Sequence, residues 1–220
     1  MGAPNNLAQQ SRRATRVLTE EGCWAPLGLA GIDALAASTT AGLRTAAGID
    51  PAVVGVAAGT GVVATNSYGV VQQTLLTLTA ASVPTTDNGA AGANGTLEIF
   101  DFPEGLVHIF GAVANLTTAK VSTGLATTAA LVWSLGTATS AADATLTSTE
   151  ADIIPSTAGT LTAGAGTFIA VSTTPALFDG TGTAKKCWLN CAVVDAGTSA
   201  NDAVLVSGTI RLTWAWLGDK

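Results

Sequence analysis

The C-terminal stretch constrains the fold more than any other part of the chain. Over residues 203–217, Val204, Val206, Gly208, Ile210, Leu212, Trp214 and Trp216 alternate with Ser207, Thr209, Arg211 and Thr213. A period of two puts the first set on one face of a strand and the second on the other, as in a half-buried antiparallel strand. Such a run reaches roughly 40 Å if straight, so a bend at Gly208 that lets it serve two sheets is expected. A strand this long needs partners, and residues 70–79, 96–102, 106–115, 129–135, 167–172 and 185–194 read as those strands. Threonine and valine abound there because branched side chains suit a pleated surface. Turn-formers separate the runs: Asp87-Asn88-Gly89, Asn94-Gly95, Pro103-Glu104-Gly105, and residues 164–166, 179–182 and 195–201. The spacing predicts an all-β fold, a jelly-roll-like antiparallel β-sandwich with an extended N-terminal arm. Only residues 146–154 interrupt, reading as a short helical turn that starts near Ser148 or Thr149 and is stopped by Pro155.

Two segments follow from the texture: residues 1–66, an arm and extended anchoring segment, and residues 67–220, the sandwich. Arg12, Arg13 and Arg16 are the only charges before Glu20, although the chain carries a net −6. They read either as a frayed, solvated terminus or as a small basic arm that orders on an acidic neighbouring surface, and are the candidate anchoring residues. At most a short helix is expected over residues 7–18. Residues 22–64 are rich in Gly, Ala and Pro without sustained helical spacing, and read either as an extended segment on a partner or as strands with a short helix near residues 32–37. A signal peptide does not fit, because Glu20, Glu21 and Asp33 break the apolar block. No apolar run approaches the roughly 18 residues of a membrane span.

Charged residues make up only 11% of the chain, against roughly 25% in an ordinary soluble domain. A surface so poor in charge solubilises weakly and makes contacts readily. The acidic balance argues against nucleic acid as a partner, since phosphate binding requires a basic face. Cys187 and Cys191 stand four residues apart in a strand, roughly 13 Å, too far for a mutual disulfide, so both read as reduced and buried. A single histidine leaves a zinc site short of ligands. His108 has no nucleophile or carboxylate placed beside it and reads as a hydrogen-bonded, partly buried side chain. Asp101 and Glu104 flank a tight turn and read as structural. Gly59-Thr60-Gly61 imitates a dinucleotide fingerprint, but a poor first helical turn follows and the expected acid is missing, so it reads as a turn between strands. Asn94-Gly95-Thr96 and Asn115-Leu116-Thr117 match the glycosylation pattern, which matters only in a glycosylating host. No catalytic residue, metal ligand or cofactor is assigned, and an enzyme is not expected. In the run 185–194, Cys187, Leu189, Cys191 and Val193 face the core; Lys186, Trp188 and Asn190 face outward, making Trp188 either a candidate subunit contact or a cover for its own domain.

Several segments taken together resemble a family of tailed-bacteriophage capsid-associated proteins. They are Leu97-Glu98-Ile99-Phe100-Asp101-Phe102-Pro103-Glu104-Gly105, Gly111-Ala112-Val113-Ala114-Asn115-Leu116-Thr117, the stretch 146–156, and Gly208-Thr209-Ile210-Arg211-Leu212-Thr213-Trp214 with Leu217-Gly218-Asp219. The resemblance covers roughly residues 68–220 and implies a cement or decoration protein. Such proteins commonly sit as homotrimers on the outer surface of the capsid, bind the major capsid protein, and staple neighbouring capsomers against the pressure of packaged DNA. The expected partners are therefore the major capsid protein and other copies of the chain, with no direct nucleic acid and no membrane. The alternative is a receptor- or glycan-binding head-fibre or tail-associated module on the same β-sandwich; a secreted adhesin or a hydrolase on that scaffold fits less well.

Overall fold

The computed structural model describes residues 16–18, 24–26, 55–67, 69, 71–161, 163–194 and 198–218. The chain divides into two units, Met1–Val53 and Val54–Lys220. In the first, β1 (Arg16–Leu18) pairs antiparallel with β2 (Trp24–Pro26). The short helix expected over residues 7–18 is therefore not present at its C-terminal end. Arg12 and Arg13 lie outside the described residues.

The second unit is all-β. Its strands are β3 (Val56–Ala57), β4 (Val62–Ser67), β5 (Gln72–Asp87), β6 (Ala93–Asp101), β7 (Gly105–Lys120) and β8 (Ala130–Gly136). They continue with β9 (Ile154–Thr160), β10 (Ala165–Ser172), β11 (Ala176–Gly180), β12 (Lys186–Val193) and β13 (Asp202–Gly218). All eleven form one antiparallel sheet in the order β10-β7-β13-β5-β6-β12-β8-β9, with β11 following β10 along β7, β3 on β6 and β4 on β5. Its two ends meet. Trp133 of β8 stacks on Phe168 of β10 with centroids 6.1 Å apart, and Gly159 of β9 lies close against Thr167. No ladder joins β9 to β10, so the sheet curls into a nearly closed barrel whose opposite walls are the two layers of the expected sandwich. The barrel unit starts earlier than the boundary at residue 66 read from the sequence: β3 and β4 pair inside the sheet, because Val62 and Ala64 face its core.

Two strands, β5 and β7, run farther than their alternation predicts, because bulges reset the parity. In β5 the buried positions change from Gln72, Thr74, Leu76 and Leu78 to Ala81, Val83 and Thr85, with Ala80 at φ 47° between them. In β7 they change from Val107 and Ile109 to Ala112, Ala114 and Leu116, opposite a register shift between Thr213 and Trp214. β13 has a bulge between Val206 and Gly208, where a bend was expected, but it does not pass between two sheets: it pairs with β5 and β7 on both sides of the bulge; the φ of Gly208 is 133° and an added Cβ would stand 2.3 Å from the Asn115 carbonyl oxygen. Pro155 lies inside β9, where pairing with β8 skips from Ile154 to Thr157. A proline is tolerated there because β9 is an edge strand.

The core is aromatic at one end of the barrel. Phe100, Phe102 and Trp214 pack edge to face with centroids 5.1 to 6.1 Å apart. The Trp214 indole donates to Thr74 Oγ1 (2.9 Å), Thr74 donates to Asn66 Oδ1 (2.6 Å), and Asn66 donates to the Gly55 carbonyl (3.2 Å). This chain satisfies the buried polar atoms and ties β3 and β4 to β5 and β13.

Candidate functional surface

The chemistry-bearing residues do not converge. His108 projects from β7 beside Phe110, ring centroids 4.4 Å apart, and is half-buried; it stacks and makes no hydrogen bond among the described residues, contrary to the expectation. Among the described residues no three His, Cys, Asp or Glu side chains stand close enough to hold a metal. Cys187 and Cys191 are buried free thiols, as expected, with burial pushing Cys191 up to about 12 and Cys187 higher still. Cys23 lies outside the described residues. Gly59 and Gly61, both near φ +80°, make the turn between β3 and β4. Among the described residues no helix is long and apolar enough to cross a membrane.

The acids serve the fold. Lys186 Nζ lies 2.8 Å from Glu98 and 3.7 Å from Asp101. Partial burial and the neighbouring Glu98 raise the Asp101 carboxyl above its ordinary range. The Glu104 carbonyl accepts the Trp216 indole N–H at 2.7 Å, closing the turn against the last strand. Trp188, the candidate subunit contact, is half-buried between Glu98 of β6 and Gly136 of β8, with the Lys186 ammonium 5.8 Å from its ring centroid. Arg16 opens β1, and its side chain lies outside the described structure.

Part of the outer wall is covered by the chain itself. Residues 137–153 lie across the outside of β6, β12 and β8, and Asn190 holds them there. Its amide donates to the Ala138 and Glu150 carbonyls (both 2.9 Å), and its oxygen accepts from Ser140 N (3.1 Å) and Thr96 Oγ1 (2.7 Å). Ser134 Oγ donates to the same Glu150 carbonyl, and Asp152 accepts from Thr137 N and Oγ1. Within that cover, Ser148–Glu150 forms the short helical turn expected from the sequence, here a 3-10 turn.

The opposite stretch of the wall is bare. On β7, β10, β11 and β13 the side chains of Phe110, Val113, Ile169, Val171 and Leu177 face outward, Ile169, Val171 and Leu177 being more than 60% exposed. Arg211 stands beside Val113 and is exposed, with no ion pair among the described residues. A shallow depression of about 240 Å³ opens here, lined by Phe110, Val113, Val171, Arg211 and Thr213 among others. Its origin is the bulge in β7: pairing with β10 ends at Ala112 and pairing with β11 begins at Ile109, leaving Phe110 and Gly111 without a ladder partner on that flank. Sequence reasoning placed Phe110 and His108 on one face but missed the hollow, because the β10–β11 break carries no local signature. No protein-family model matches the chain, and no curated protein matches it.

Proposed function

We propose that the chain is a structural virion protein of a tailed phage, a capsid cement or decoration protein that binds the outside of the major capsid shell and stabilises contacts between capsomers. The observation that carries an adhesive role is the bare wall of β7, β10, β11 and β13, five outward apolar side chains around one charge, on a barrel without a converging set of reactive groups among the described residues. The resemblance of residues 68–220 to tailed-phage capsid-associated proteins points that adhesion at a phage head. Adhesion is distributed: several contacts of modest strength, each burying about 1,000 Å² or more, add up through multivalency on a repeating shell. Self-association, three copies in the form the resemblance implies, supplies the repeat, and Arg12, Arg13 and Arg16 supply an electrostatic foothold on an acidic neighbour.

Purified protein mixed with phage heads stripped of their decoration should co-sediment at a fixed ratio to the major capsid protein. Deleting residues 1–22 should lower that occupancy while the barrel keeps its melting transition. Unchanged occupancy would refute the role of the arm, and no binding by the full chain, or binding to host glycans in its place, would refute the capsid reading.

A further inference from the structure

The bare wall carries an apolar projection and an apolar hollow side by side, with a charge at each end. Counted along β7, Asp179 stands opposite Leu106, Leu177 opposite His108, the depression spans Phe110 to Val113, and Arg211 stands opposite Val113. The order is therefore acid, knob, hollow, base. Asp179 and Arg211 are seven rows apart, roughly 23 Å at strand spacing, and lie on opposite flanks of β7. Leu177 is 62% exposed. Asp179 accepts Thr181 N and Oγ1 on Oδ1 only, leaving Oδ2 without a hydrogen bond among the described residues, and nearby Lys185 helps to keep it ionised.

We propose that this wall docks on the same wall of a second copy, related by a two-fold axis in the plane of contact. Leu177 of each copy enters the other's hollow, and Asp179 of each faces the other's Arg211. Reversal about such an axis brings acid onto base and knob onto hollow together, because each pair is arranged about the same midpoint near His108 and Phe110. Since knob and hollow share one wall a few residues apart, the contact is isologous: each wall is closed by one other wall. The Arg211 guanidinium, unpaired among the described residues and set in an apolar surround, selects this partner over an uncharged one, because burying it without a carboxylate opposes association. The inference rests on the self-association in the function proposed above; a threefold assembly would use other surfaces, and this contact would join one such assembly to another.

The test is sedimentation equilibrium of the full chain across a wide concentration range. The native chain should rise to twice the mass of its smallest species. Leu177→Asp should abolish the rise, with an unchanged melting transition because the position is on the surface. Asp179→Arg and Arg211→Asp should each weaken association about ten-fold, and the two together should restore it to within about three-fold of native. The contact is overturned if the native chain does not double, if the single variants associate as tightly as native, or if the combined variant is no tighter than either. Binding to stripped heads, measured separately, distinguishes the two proposals: binding without doubling removes the two-fold contact, and doubling without binding removes the capsid role.

Discussion

Asn190 shows how far one residue's environment can depart from its place in a pattern. Alternation puts it on the outer face of its strand, which is correct, yet it is fully buried because residues 137–153 cross over it. All four of its hydrogen-bonding positions are used. Asn190→Ala should cost roughly 2–4 kcal/mol, since it strands several buried donors and acceptors at once; chemical denaturation measures it, and a loss below about 1 kcal/mol would contradict the role. Asp202 is a second such residue, accepting from Ser122 N and Oγ, Leu125 N and Ala203 N. Burial alone would raise its carboxyl, but these hydrogen bonds outweigh it and hold the group below its ordinary value of 3.8. A depressed acid contributes stability that is present above the unfolded value and is lost as pH falls through the folded one. Asp202→Asn should therefore be less stable than native at neutral pH, with the gap closing as the pH falls below the ordinary carboxylate value and through the lower folded one. A gap that stays constant with pH would contradict it.

At the scale of the strand, the bulges decide which side of a residue is inside. The alternation in residues 203–217 reads correctly through Gly208 because β13 keeps its own parity, while its partners β5 and β7 reset theirs at Ala80 and at Phe110-Gly111. A strict period of two ends each partner early, which is why residues 70–79 and 106–115 were expected where Gln72–Asp87 and Gly105–Lys120 form. Gly208 is where this geometry depends on one side chain being absent. Gly208→Ala places a methyl against the Asn115 carbonyl at a φ of 133°, and the loss should be about 2–3 kcal/mol, read as a lowered melting midpoint with β content retained at low temperature. A neutral substitution would mean that the bulge shifts elsewhere at no cost.

At the scale of the whole molecule, β12 is interior on both faces from Leu189 to Val193: the barrel core lies on one side and the crossing segment on the other. Cys187 and Cys191 are sealed in that wall, so of the three thiols at most one, Cys23, should react with a thiol reagent at pH 8 before unfolding, and all three after it. Early reaction of more than one would show that the wall opens locally. The all-β class, the turns at Asp87-Asn88-Gly89 and Pro103-Glu104-Gly105, the buried cysteines and the poverty of charge were legible in the residues, because a period of two, Gly, Asn and Asp at turns, and composition are local properties; Asn94-Gly95, expected as a turn, lies inside β6, where the pairing with β5 and β12 overrides its local preference. The neighbours of each strand, the near-closure of β9 on β10, the cover over Asn190, and the knob, hollow and charges aligned along β7 were decided only by the tertiary structure. Each of these joins residues far apart in the chain, and pairing across such distances is fixed by how the whole sheet curls rather than by any segment's own preference.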